Sequence, residues 1–189
     1  MDQTRLGQLL PVVNLIAALA MIGAAVVLIG GRSSQHLPPS QPPTVKEPIT
    51  IENAATMGNP KAPLVIVEWA DYECSACARF AQDVFPELVT RYVEPGQVLF
   101  VYKHMPLPRH PLASTAAATT ECARRKGKFW ELHAALFART SRLDDEYLAK
   151  AAKESGAAGH GFDECVRDEG RAVVKSDLET ARRLRLRAT

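Results

Sequence analysis

Leu64-Val65-Ile66-Val67-Glu68-Trp69, running on through Ala70-Asp71-Tyr72-Glu73 into Cys74-Ser75-Ala76-Cys77, is the stretch on which the fold turns. Its first six residues are β-branched and almost continuously apolar, the pattern of a strand buried on both faces. Beyond Cys77 the apolar spacing becomes helical, with Phe80, Val84, Phe85, Leu88 and Tyr92 on one stripe. Pro86 lies inside that helix and is expected to kink it. Glu94-Pro95-Gly96 ends the helix, and residues 98–102 read as a second apolar strand. The order is strand, Cys-x-x-Cys, helix, strand. A helical crossover between two strands implies parallel pairing and a right-handed connection.

Working outward, Gly58-Asn59-Pro60-Lys61-Ala62-Pro63 is a turn-rich lead-in to the first strand. After Met105-Pro106-Leu107-Pro108 the chain turns helical, and an insertion over about residues 109–186 is expected. Pro111 suits the first turn of a helix running to residue 126, with Gly127 as its stop. A second helix carries Phe129, Leu132, Leu136 and Phe137, and a third runs from near Asp144 to Gly156. Phe162, Cys165 and Val166 sit at helical spacing in a short segment. The last helix carries Val173, Val174, Leu178, Ala181 and Leu184. Arg182, Arg183, Arg185 and Arg187 beside them read as a solvated face rather than a site for an acidic partner. Ala116-Ala117-Ala118 indicates close helix packing.

The 189 residues allow one ordinary domain plus an appendage. A hydrophobic share of 47% excludes a disordered chain. A net charge of +2 gives no electrostatic reason to expect nucleic acid as partner. The appendage is N-terminal. Residues 9–31 carry no charge and are long enough to span a bilayer as one helix. The short N-tail with Arg5 suits insertion with the N-terminus inside and the remainder exported, which makes residues 1–31 an anchor or signal segment. The competing reading is a signal peptide cleaved near Ala18-Leu19-Ala20, which would leave the domain exported and soluble. Residues 32–48, with Pro38-Pro39 and Pro42-Pro43, read as a proline-rich spacer, and residues 49–189 as the folded domain. Export places the four cysteines where disulfides persist, in a periplasmic or other extracytoplasmic space.

A Cys-x-x-Cys pair at a strand-to-helix junction points to redox chemistry. Free N–H groups and the dipole at a helix start stabilise an anion, so Cys74 is the expected low-pKa, more exposed nucleophile. Cys77, one turn in and facing the core, is the expected resolving thiol. Exchange then runs through a mixed disulfide on Cys74. The alternatives are half of a zinc site, which lacks a second close cysteine pair, and an inert structural disulfide.

Residues 69–77 resemble the active-site stretch of DsbA-like thioredoxin-fold proteins. Gly58-Asn59-Pro60-Lys61-Ala62-Pro63, Lys103-His104-Met105-Pro106-Leu107, His110-Pro111 and Gly127-Lys128-Phe129-Trp130-Glu131-Leu132-His133 resemble further landmarks of that family in the same order. The resemblance covers about residues 50–189. It implies an α/β thioredoxin-like fold with a helical insertion, and an exported thiol-disulfide oxidoreductase needing no dissociable cofactor and no metal. It also implies, as partners, cysteine-containing exported proteins and a membrane redox protein that recycles Cys74 and Cys77. Ser75-Ala76 departs from the family's usual dipeptide and leaves the redox poise open. The family pattern continues with a cis-proline loop, two strands and a closing helix, whereas this sequence stops at Thr189. The expectation is a truncated chain, with a fragment or a partner-supplied strand as alternatives. The other functional reading is accordingly a catalytically impaired remnant that binds a metal or a partner chain.

Three further expectations concern single residues. Cys122 and Cys165, on separate insertion helices, are expected to pair in an exported protein, the alternative being two free buried thiols. Glu68 is either a proton acceptor near Cys77, as the resemblance suggests, or a strand-end residue reaching solvent. His104, His110 and His133 lack ligand spacing and read as packing or capping residues.

Overall fold

The computed structural model describes residues 47–189; the expected anchor and most of the proline-rich spacer lie outside them. Among the described residues no helix is long and apolar enough to cross a membrane. The centre is a three-stranded sheet of order β1-β3-β2, formed by β1 (Ala55–Gly58), β2 (Leu64–Ala70) and β3 (Val98–His104). β2 runs parallel to β3 with Glu68 opposite Tyr102 and Ala70 opposite His104, and β1 runs antiparallel with Ala55 opposite Tyr102.

Between β2 and β3 the chain makes α1, a continuous helical run of Ser75–Arg79, Phe80–Val84, Phe85–Leu88 and Val89–Val93. Pro86 has no N–H to give, and π-type turns flank it on either side within the run. The insertion carries α2 (Ala113–Arg124), α3 (Phe129–Phe137) and α4 (Asp145–Glu154). It ends in α5, continuous through Phe162–Cys165, Val166–Gly170 and Arg171–Arg183. α4 starts where Asp144 Oδ1 accepts from the Tyr147 N–H at 2.7 Å, an N-cap that satisfies one of the four free donors of a helix start.

Strand alternation sends Phe100, Tyr102 and His104 to one face of β3, and Val101 and Lys103 to the other. The first face is covered by aromatic side chains from α1 and α3: Phe100 meets Phe85 at a centroid distance of 4.7 Å, and Tyr102 meets His133 at 4.9 Å. The second face meets α5, where Asp177 Oδ1 accepts from Lys103 Nζ at 2.7 Å and Oδ2 accepts from the His104 N–H at 2.9 Å. Both side chains of that ion pair are buried.

Two sequence expectations need correction, and one strand lies outside the sequence reading. The strand buried on both faces is β3, every residue of which is buried; β2 pairs only with β3 among the described residues, and Leu64 and Val65 stay exposed. β1 has no counterpart in the sequence reading, because its four residues end in Gly58 and are too few to show a period. The first insertion helix begins at Ala113 and stops at Arg124, leaving Pro111 before its N-cap, Leu112. Ala116, Ala117 and Ala118 are buried, and Gly170 of α5 lies so close that a Cβ there would stand 2.6 Å from the Ala118 carbonyl oxygen. Small residues are what let α2 and α5 approach.

Candidate active site

Cys74 is the N-cap of α1, with extended backbone angles of φ −81° and ψ 118°. Its N–H donates to the Asp71 carbonyl at 3.0 Å and its carbonyl accepts from the Ala78 N–H at 3.0 Å, so the turn out of β2 delivers it to the helix start. Cys74 and Cys77 are free thiols, 8% and 4% exposed, Cys74 the more open of the two. Burial pushes the Cys74 thiol up, but hydrogen bonding from Thr189, from the N–H and thiol of Cys77 and from the Ala76 N–H outweighs it and brings the pKa below the ordinary cysteine value. Cys77 is pushed up to about 11 by burial, with the neighbouring Cys74 adding to the rise. Thr189 Oγ1 is buried without a hydrogen-bond partner of good geometry, yet lies close enough to both sulfurs to favour their thiolates.

The turn itself is held by two carboxylates. Asp71, 1% exposed, accepts the Glu73 N–H on Oδ1 at 2.7 Å. On Oδ2 it accepts the Leu107 N–H and meets His110 Nδ1, each at 2.7 Å. Glu73 Oε2 accepts the Leu112 N–H at 2.7 Å. Together they fasten the loop after β3 against the cysteine turn. A buried carboxyl group is costly unless its oxygens are hydrogen-bonded, and both oxygens of Asp71 are.

Glu68 is half-buried in the middle of β2, beside Tyr102 on the aromatic face of the sheet, and burial pushes its carboxyl up to about 8. His133 shares a hydrogen bond of 3.2 Å with the Tyr72 hydroxyl, and burial pushes it down to about 3. His104 Nε2 meets Glu121 Oε1 at 3.0 Å, and His110 meets Asp71. Cys122 of α2 and Cys165 of α5 are joined in a disulfide, with Cα atoms 6.0 Å apart, far from the Cys74 turn in sequence. Arg182, Arg183, Arg185 and Arg187 are exposed, and Arg183 meets Glu47 at 3.2 Å.

Sequence reasoning passed over Asp71, Glu73, Tyr72, Tyr102 and Thr189. The signal for the first two was present, as carboxylates placed where a buried strand gives way to a helix start. Their partners, 36 and 39 residues on, could not be read from spacing.

Comparison with known proteins agrees with this geometry. The Thioredoxin family profile matches residues 50–189. The sodium/proton antiporter NhaA 1 of Mycolicibacterium gilvum (strain PYR-GCK) is 33% identical over 194 residues, which take in all of this chain and 30% of that protein, so the chain spans less than a third of that relative's length. The crystal structure of Wolbachia pipientis α-DsbA1 superposes with a TM-score of 0.64 at 25% identity, covering 75% of this chain and 74% of that one. A thioredoxin-like oxidoreductase from Silicibacter pomeroyi DSS-3 superposes with a TM-score of 0.64 at 27% identity, covering 73% of this chain and 78% of that one. With the parallel β2-β3 pair, the cysteine pair at the start of α1 and the helical insertion all in place, the chain belongs to the thioredoxin family, as a DsbA-like member.

Proposed function

We propose that this protein is an exported thiol-disulfide oxidoreductase, held at the outer face of the cell membrane by residues 9–31, that exchanges disulfides with cysteines of other exported proteins. The observation that carries the reading is the placement of the pair: Cys74 is the N-cap of α1 and Cys77 is buried one turn in, a setting that brings the first thiol below its ordinary value and raises the second to about 11. A thiolate is the attacking species in exchange, so Cys74 opens the reaction and Cys77 closes it.

In the oxidising direction for the protein, the Cys74 thiolate attacks one sulfur of a substrate disulfide and expels the other as a thiolate. Cys77 then attacks Cys74 Sγ and gives up its proton to the ionised form of Glu68, the form that gains as pH approaches about 8. The Cys74–Cys77 bond forms, and the second substrate sulfur leaves with the electron pair. Two electrons pass from the protein's dithiol to the substrate, and a membrane redox partner returns the pair to its starting state. Cys122–Cys165 takes no part.

The test is equilibration of the full chain in graded glutathione buffers, followed by alkylation and intact mass. Cys74 and Cys77 should titrate together as one two-electron couple while Cys122 and Cys165 stay oxidised. Alkylation of all four without cooperativity would remove the proposal.

A further inference from the structure

We propose that the basic stripe of α5 formed by Arg171, Lys175 and Arg182, with the cavity it reaches beside the Cys74 turn, docks a substrate polypeptide through an acidic segment next to the reacting cysteine. The docking rests on the reading of Cys74 and Cys77 as an exchanging pair, and it names the class of polypeptide that the pair serves.

The cavity is built onto the cysteine turn. It has a volume of about 470 Å³ and lies between the loop after β3 and the end of α5, with Met105, Leu107, His110, Leu178, Arg182 and Leu186 in its walls. Its loop side is hydrogen-bonded to the stretch that presents Cys74. The Met105 N–H donates to the Ala70 carbonyl at 2.9 Å, and the Leu107 N–H and His110 Nδ1 both meet Asp71 Oδ2. On the α5 side, Leu186 stands three residues before Thr189, which lies against both sulfurs. Apart from His110, Ser114 and Arg182 the walls are apolar, so the space suits a carbon side chain, and among the described residues no carboxylate lines it. Asp71 and Glu73, the carboxylates of the adjoining turn, are committed to His110 and to the N–H groups of Glu73, Leu107 and Leu112.

α5 sorts its charges by face. Within Arg171–Arg183, the residues Arg171, Lys175, Leu178 and Arg182 recur at spacings of four, three and four, which puts them on one stripe, and its three cations are exposed. The carboxylates of this stretch are kept off the stripe: Asp177 is buried against Lys103, and Glu179 lines a separate cavity with Arg183, which itself meets Glu47. Among the described residues no carboxylate stands within ion-pair distance of Arg171, Lys175, Arg182 or the exposed Arg109 of the loop opposite. From Arg171 to Arg182 the stripe runs roughly 16 Å at about 1.5 Å per residue, the length of about five residues of extended chain. From sequence alone the arginines near the end of α5 read as a solvated face; a place on the wall of a cavity beside the cysteine turn is what separates Arg182 from Arg183. A lipid surface calls for a broad basic face, whereas this track is narrow and ends in an apolar cavity next to the reacting sulfur. Complementary charge adds association rate and specificity more than affinity, which suits an enzyme that must release each substrate.

The test follows the reduction of short peptides, each closed by one disulfide, by the reduced full chain in nonionic detergent. The disulfide is flanked by glutamates, by glutamines or by lysines, and hydroxyethyl disulfide serves as an uncharged substrate too small to reach along α5. At low ionic strength the glutamate peptide should react about tenfold faster than the glutamine peptide, and the lysine peptide slower than either, with the spread closing at high salt. Lys175→Gln combined with Arg182→Gln should bring the glutamate-to-glutamine ratio close to unity. Arg183→Gln takes the same charge from another face of α5 and should leave that ratio as in the parent. Equal rates for the three peptides in the parent, or equal effects of Arg182→Gln and Arg183→Gln, would overturn the docking, while reduction of hydroxyethyl disulfide would still uphold the proposed function. A glutamate preference abolished by phosphatidylglycerol in the detergent would assign the stripe to a lipid surface and overturn the docking as well. A parent protein that reduces neither the peptides nor hydroxyethyl disulfide would remove the proposed function, and the docking with it.

Discussion

Glu68 and His133 are ionisable groups that the fold keeps uncharged from opposite sides of neutrality, and each therefore writes its own slope into stability. Glu68 is raised from 4.5 to about 8, so its contribution is fully present below 4.5 and is lost as pH rises through about 8. Glu68→Gln keeps the shape without the titration. Denaturant unfolding at a series of pH values should show this variant gaining on the parent between those limits, by roughly 2 to 4 kcal/mol at the upper end. His133 is lowered from 6.5 to about 3, so its contribution is complete above 6.5 and is lost as pH falls toward 3. His133→Gln should flatten that acid limb, and parallel curves for variant and parent would reject the assignment. Thr189→Val takes a hydroxyl from beside both sulfurs. The Cys74 thiolate should then be less populated at neutral pH, read as slower alkylation by iodoacetamide. At this scale the cysteine pair was legible because two residues and a junction define it. Tyr102 and Thr189 were not, because burial beside the pair comes from strand register and from the return of the chain, neither of which leaves a local mark.

The elements around the cysteines depend on a clasp more than on any one helix. Asp71 serves the Glu73 and Leu107 N–H groups and His110 at once, and Glu73 serves Leu112. Asp71→Ala leaves three half-buried partners without their acceptor, and an unsatisfied buried donor costs about 1 to 3 kcal/mol. The expected loss is therefore roughly 2 to 3 kcal/mol in all, with Asp71→Asn losing less because one acceptor oxygen remains. Thermal melting of the two variants checks the order, and equal losses would mean that the carboxylate's charge rather than its acceptor count holds the loop. The parallel β2-β3 pair and the helices of the insertion were legible as elements because their apolar spacing is long enough to carry a period. β1 was too short, and the start of α2 was misplaced because Pro111 suits a helix start yet serves the clasped loop instead. The even burial of β3 against the open start of β2 was equally hidden, since both strands are apolar and only pairing distinguishes a centre from an edge.

Across residues 47–189 the element that ties the whole together is α5. It meets β3 through the buried Lys103–Asp177 pair, approaches α2 at Gly170 without a Cβ between them, and is joined to α2 by Cys122–Cys165. Arg125 and Glu169 add an exposed ion pair over the same contact, which contributes little by comparison. The disulfide closes a sequence separation of 43 residues, and loop-closure entropy for a loop of that size corresponds to roughly 4 kcal/mol withheld from the unfolded chain. Replacing both cysteines, Cys122→Ala with Cys165→Ala, removes the bond without leaving a thiol to react with Cys74. The α2-α5 contact also packs Val166, Val174 and Leu178 of α5 against Ala117 and Ala118 of α2, so part of the lost constraint is offset by packing that stays in place. The double variant should lose about 2 to 4 kcal/mol in denaturant unfolding, and hydrogen exchange should accelerate first along α5. A double variant as stable as the parent would mean that the ion pair and the Gly170 contact hold α5 unaided, and that this disulfide does not support the fold.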